Sequence, residues 1–116
     1  MKSLFLLNDP PYGTERSYNA LRLAGALAKR EGEELRVFLM ADASACAKAG
    51  QNTPQGYYNI SRMLKGLTGK LMPVGVCGGC MDARGIAPGE LVEGAHRSSM
   101  EELADWTLWA DTVIVF

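Results

Sequence analysis

Two cysteines three residues apart, Cys77 and Cys80, stand with only Gly78 and Gly79 between them in VGVCGGCMDARG (Val74 to Gly85), directly behind an apolar run. Residues of these types at this spacing fit a reactive thiol, half of a metal site, or a tight turn filled by small side chains. The thiolate is the nucleophile, so reactivity requires something that lowers the thiol pKa. Cys77 ends an apolar run and precedes a short helical turn, which places it to receive the N–H groups of Gly78, Gly79 and Cys80 and their partial positive charge. The glycines let the backbone fold closely around sulfur without adding bulk. Arg84 either adds positive charge or is a solvated surface arginine. The same cradle suits a persulfide, which is also anionic near neutral pH. Cys80 comes within reach of Cys77 if the turn is helical, and is then able to resolve a disulfide at Cys77, take a sulfur from it, or tune its charge.

The other chemistry-bearing residues are sparse. Cys46, between Ala45 and Ala47 on an expected helix, has no glycine or cationic neighbour and reads as a packing residue. A zinc site needs three or four ligands, and one C-x-x-C pair stands here without a second. His96, the only histidine, and Asp82 complete a site only by an unusual spacing, so no metal is expected. His96 alone reads as an acid or base beside Cys77 or as a hydrogen-bonded structural residue. Neither a phosphate loop nor a G-x-G-x-x-G turn behind a strand occurs, so no nucleotide or other cofactor is expected.

Four apolar runs supply the elements that must position these residues: SLFLL (Ser3 to Leu7), LRVFLM (Leu35 to Met40), LMPVGVC (Leu71 to Cys77) and TVIVF (Thr112 to Phe116). Their hydrophobicity is continuous, as in strands buried on both faces of a parallel sheet. Between them lie helical patterns. Thr14 is a candidate cap for a helix carrying Tyr18, Leu21, Ala24, Leu27 and Ala28, with Gly32 as its stop. A second helix is expected from Asp42 to Gly50, then a loop over Gln51 to Gly56, then a third helix with Tyr57, Ile60, Met63, Leu64 and Leu67 on one face. Ser98 to Ala110 repeats the pattern, with Met100, Leu103, Trp106 and Ala110 as a stripe for core or subunit interface and Glu101, Glu102 and Asp105 outward. Leu91 to Arg97 is read as a short extra strand. The alternation predicts a three-layer α/β/α domain over residues 1–116 with a mostly parallel sheet of about five strands. In such sheets ligands collect beyond the carboxyl ends of the strands, where the loop with Asn8, Asp9 and Tyr12, then Asp42, and then Cys77 would share one rim. DPPYG also has an ordinary reading as a turn before a helix.

At 116 residues, 47% hydrophobic and 22% charged, the composition is that of one globular domain rather than a disordered chain. Twelve basic against thirteen acidic side chains give a formal charge of −1, without the basic surplus that displaces counterions from phosphates, so no direct nucleic-acid partner is expected. The opening MKSLFLLNDPP is too short an apolar stretch for a signal peptide or a membrane span, and a cytoplasmic location is expected. There, thiols are kept reduced, which favours free, catalytic or metal-bound cysteines over disulfides.

The chain resembles the DsrE/DsrF-like proteins, the sulfur-handling α/β group that includes the TusD subunit of the sulfur relay for tRNA thiolation. The resemblance spans nearly the whole length: NDPPYG and ALRLAGAL after the first strand, GYYNISRMLKGL, VGVCGGCMDARGI, and the closing ELADWTLWADTVIVF. It implies a Rossmann-like single domain, trimers or hexamers of this chain, and sulfur passed between donor and acceptor proteins. It implies that Cys77 carries sulfur as a persulfide; Cys80 has no counterpart in many members, so its role does not carry over. The leading reading is therefore a sulfurtransferase-like carrier using Cys77, with Cys80 as a second thiol, Gly78, Gly79 and Arg84 around the anion, and Asn8, Asp9 and Tyr12 lining the rim. Two rivals stand beside it: a dithiol redox protein cycling Cys77 and Cys80, and a non-catalytic oligomeric subunit with a vestigial site.

Overall fold

A computed structural model describes residues 1–116. In chain order the elements are β1 (Lys2–Leu7), α1 (Arg16–Leu27), β2 (Glu34–Leu39), α2 (Ile60–Thr68), β3 (Val74–Cys77), α3 (Gly78–Ala83), β4 (Ala95–Ser98), α4 (Met100–Trp109) and β5 (Thr112–Val115), with 3₁₀ segments at Ala41–Ala47 and Pro88–Glu90. The strands form one five-stranded sheet in the order β4-β3-β2-β1-β5. Every pairing is parallel, so the expected mostly parallel sheet is wholly so.

Both faces of the central strands are buried, which is why their apolar runs do not alternate. Phe5 and Leu7 of β1, Val37 and Leu39 of β2 and Val74 and Val76 of β3 pack with Ala20, Leu21 and Ala24 of α1 and Ile60, Leu64 and Leu67 of α2. Leu4 and Phe38, of opposite parity, meet Leu103 and Trp106 of α4 in a smaller cluster that Cys77 borders. Each such side chain contributes roughly 1.5–3 kcal/mol of transfer free energy on burial.

The strand order follows from crossover handedness. Steps from β1 to β2, β3 and β4 move one way across the sheet, so right-handed connections put α1 and α2, with Met81 of α3, on the larger core's face. The return from β4 to β5 runs the other way and puts α4 on the opposite face. The chain thus leaves β3 toward one face and the adjacent β4 toward the other, the switch in direction beside which sheets of this kind place their ligands.

Several boundaries differ from the sequence expectation. β3 begins at Val74 rather than Leu71: Leu71 is exposed with φ 62°, and Pro73 has no N–H to give a ladder. The helix expected from Asp42 to Gly50 is the 3₁₀ segment Ala41–Ala47. There the Ser44 hydroxyl donates to Ala41 O, and Gln51 Nε2 donates to the carbonyls of Ala45, Cys46 and Lys48, occupying acceptors that a longer helix would use. The third helix starts at Ile60, after Tyr57, because Asn59 caps it by accepting from Arg62 N at 3.1 Å.

Glu15 rather than Thr14 holds the cap position of α1; Thr14 Oγ1 accepts from Arg16 N at 3.4 Å and donates to Asp9. That helix ends at Leu27, and Gly32, at φ 80°, lies in the turn that follows. The extra strand is β4, beginning at Ala95 instead of Leu91, which bridges antiparallel to Lys48. On α4, Leu103 and Trp106 are buried but Met100 is exposed, so the expected apolar stripe is narrower, and Glu102 turns inward to Ser98 and His96. No helix is long and apolar enough to cross a membrane.

Candidate functional site

Cys77 is the last residue of β3 and the cap of α3, opposite Ser98 of β4 in the parallel register. The chain turns from strand to helix without an intervening loop; the bare Gly78 leaves room for the Arg97 guanidinium, while Gly79 has open space at its Cβ position. Cys77 Sγ accepts the N–H of Cys80 at 3.4 Å. Partial burial works against its ionisation, but hydrogen bonds from the Cys80 thiol and from the N–H groups of Cys80 and Gly79, with the charge of Arg97, bring the Cys77 thiol below its ordinary value. Burial and the hydrogen bond to Cys77 push Cys80 the other way, against the N–H of Ala41 and the charge of Arg84. The pair is thus differentiated: Cys77 is the more readily ionised of the two and Cys80 the thiol that donates to it. Both are half-buried and free.

Two arginines flank the pair from different elements. Arg97, on β4, donates to the Gly78 carbonyl at 3.1 Å and grips both oxygens of Asp82 on α3, at 2.7 and 2.9 Å. Arg84, at the end of α3, donates to Asp42 Oδ1 and to the Cys80 carbonyl. Its charge therefore acts on Cys80, while the cation that acts on Cys77 is Arg97, to which the sequence reading gave no role. Only the adjacency of β3 and β4 brings Arg97 there, and local spacing carries no sign of it. Ala41 N donates to Cys80 Sγ at 3.1 Å from the far side. Ala41 takes φ 50°, a left-handed conformation that costs a non-glycine residue about 1–2 kcal/mol.

The residues of the first loop are on the same rim but bond elsewhere. Asn8 donates to Phe116 O and ties β1 to the end of β5. Asp9 accepts from Thr14, while its carbonyl accepts from Ser17 and Cys46. Tyr12 donates to Gln51 Oε1 at 2.6 Å, accepts from Ile60 N, and stacks on Tyr58. Their hydrogen bonds tie the loop to the end of β5, to the start of α1 and to α2, and none reaches a site thiol. His96 sits on the α4 side, paired with Glu102 and packed edge-on to Trp106. Cys46 is fully buried, as its apolar flanks suggested.

Fold and site together define a small parallel α/β protein with a differentiated dithiol at the carboxyl end of β3, where the chain direction switches. The DsrE/DsrF-like family model matches residues 1–116, and the chain belongs to that family. It is 44% identical over 116 residues to Protein YchN of Escherichia coli, covering 99% of this chain and 98% of that one. It is 37% identical over 111 residues to protein MK0008 of Methanopyrus kandleri, covering 96% and 90%. The crystal structure of the Escherichia coli YchN protein superposes with a TM-score of 0.94 at 44% identity, covering 100% of this chain and 99% of that chain. MTH1491 from Methanobacterium thermoautotrophicum shares the fold at a TM-score of 0.74 and 15% identity, covering 99% and 98%.

Proposed function

We propose that this protein is a sulfur carrier of the sulfurtransferase type, with Cys77 as the atom that holds sulfur. The family is generally linked to sulfur relay. The observation that carries the reading is Cys77 Sγ at the carboxyl end of β3, bonded by the Cys80 N–H and under the charge of Arg97 from β4. The Cys77 thiolate attacks the terminal sulfane sulfur of a donor persulfide; the donor S–S bond breaks and the donor leaves as thiolate. The resulting Cys77 persulfide is stabilised as an anion by the same groups. An acceptor thiolate then attacks the outer sulfur and Cys77 leaves, again as thiolate, so nothing is oxidised or reduced overall.

In this reading Gly78 and Gly79 shape the cradle, Arg84 steadies α3, and Asn8, Asp9 and Tyr12 shape the rim by which a donor or acceptor protein approaches. Trimers or hexamers of this chain in the cytoplasm belong to the same proposal. A second reading, a dithiol redox protein, draws support from the opposite pKa directions of Cys77 and Cys80. Loading with polysulfide followed by intact mass separates them. A carrier gains about 32 Da per sulfur, lost in Cys77→Ser and kept in Cys46→Ser, whereas disulfide cycling alone only removes about 2 Da.

A further inference from the structure

We propose that Cys80 is a resolving thiol, which gives the site a second activity: reduction of sulfane sulfur to hydrosulfide at the expense of a dithiol. The inference rests on the carrier reading above and extends it to the fate of the bound sulfur when no acceptor is docked.

Cys80 faces the inner sulfur of any Cys77 persulfide, because that atom is Cys77 Sγ itself. The Cys80 N–H holds Cys77 Sγ at 3.4 Å, and the two side chains lie within hydrogen-bonding reach of each other. On its other side Cys80 Sγ receives the Ala41 N–H at 3.1 Å, a donor aimed at the charge this sulfur develops as it loses its proton. That donor is deliberately placed. Ala41 is held in a left-handed conformation, and Arg84 ties its neighbour Asp42 to α3 while also bonding the Cys80 carbonyl. The 3₁₀ segment and the dithiol helix are thereby fixed to each other around Cys80.

The step balances without an added oxidant. Cys80 deprotonates and attacks Cys77 Sγ. The bond from Cys77 Sγ to the outer sulfur breaks, and its electron pair leaves with the outer sulfur, which takes up the released proton and departs as hydrosulfide. The products are a Cys77–Cys80 disulfide and hydrosulfide; the two cysteines are oxidised by two electrons and the sulfane sulfur is reduced by two. A dithiol reductant then reopens the disulfide by thiol exchange. Substrates are polysulfides and persulfides, and the site returns to its dithiol form after each turnover.

The test loads the reduced full-length protein with one equivalent of sodium tetrasulfide, removes excess, and follows intact mass together with hydrosulfide trapped by monobromobimane. The wild type is expected to lose its added sulfur, of about 32 Da, release hydrosulfide, and settle about 2 Da below the reduced mass. Cys80→Ser is expected to retain the added sulfur and release none. Dithiothreitol with repeated polysulfide should give many hydrosulfides per chain for the wild type only. Added sulfur that persists equally in both proteins, or equal release from both, overturns the release step and leaves the carrier reading standing. Failure of both proteins to gain sulfur or release hydrosulfide overturns the carrier reading and this one with it.

Discussion

The Arg97 guanidinium rests on Gly78: its Nη1 lies 3.1 Å from the Gly78 carbonyl oxygen, and a methyl group at Gly78 would stand 2.8 Å from Cζ. The strand that carries Arg97 meets α3 both here, where there is no side chain, and at Asp82. Gly78→Ala is therefore expected to leave the fold intact, since the end of a long side chain yields easily, but to push the guanidinium off the turn and away from Cys77. The Cys77 thiol then rises toward its ordinary value. Gly79→Ala, with open space at its Cβ position, leaves Arg97 undisturbed. Alkylation rate at Cys77 against pH checks the pair: the midpoint moves up in Gly78→Ala and not in Gly79→Ala, and identical midpoints in all three proteins refute the coupling.

The two thiols of the pair should also separate in rate. Cys77 is held below the ordinary thiol value of 9.0 and Cys80 above it, so iodoacetamide modifies Cys77 first near neutral pH. Cys80→Ala removes the thiol that donates to Cys77 and moves the Cys77 midpoint up. Arg97→Gln moves it the same way by removing charge. Peptide mapping after short exposures reads each site, and preferential labelling of Cys80 would invert the assignment of nucleophile and donor.

The architecture and the thiol pair were legible for a physical reason. Strands buried on both faces leave continuous apolar runs, and a C-x-x-C behind such a run must lie at a sheet's carboxyl rim. What spacing does not encode is which strands become neighbours. Arg97 therefore escapes the spacing, because it reaches Cys77 only through the β3/β4 pairing, and Arg84, open to reading as added charge or as a solvated surface residue, is bonded to Asp42 and the Cys80 carbonyl. Ala41 escaped notice for another reason: a left-handed alanine has no signature in residue type. The Ala41–Ala47 segment reads as α-helix by composition, and only the Gln51 amide, taking the carbonyls of Ala45, Cys46 and the following Lys48, shows why it tightens.

Gly94 controls the strand that carries Arg97. It has φ 91°, and a Cβ there would lie 2.5 Å from Thr68 Cβ, whose own hydroxyl donates to Glu93 O. Unlike Gly78, the obstruction is a short β-branched side chain at the end of α2 and has no room to swing aside. Gly94→Ala is expected to cost about 1–3 kcal/mol and to loosen β4. Urea unfolding gives the loss, and the Cys77 alkylation midpoint should rise with it, because a displaced β4 carries Arg97 away. Unchanged stability would mean that the turn before β4 adapts without strain.

Cys46 is expected to weaken the fold at alkaline pH. Burial, opposed by a hydrogen bond from Ser17 and reinforced by the charge of Asp9, pushes its thiol from the ordinary 9.0 up to about 12. The sign follows from linkage. Above pH 9 the unfolded chain releases this proton while the folded chain keeps it, so the unfolded state is favoured progressively until the folded thiol also ionises near pH 12. The loss is about 1 kcal/mol at pH 10 and approaches about 4 kcal/mol near pH 12. Cys46→Ala abolishes this part of the pH dependence, although the small cavity it leaves lowers stability by about 1–2 kcal/mol at all pH values. The informative quantity is therefore the difference between the two proteins in urea at pH 8 and pH 10. It should narrow or reverse as pH rises, and a gap that stays constant would show that Cys46 ionises in the folded chain as readily as in the unfolded one.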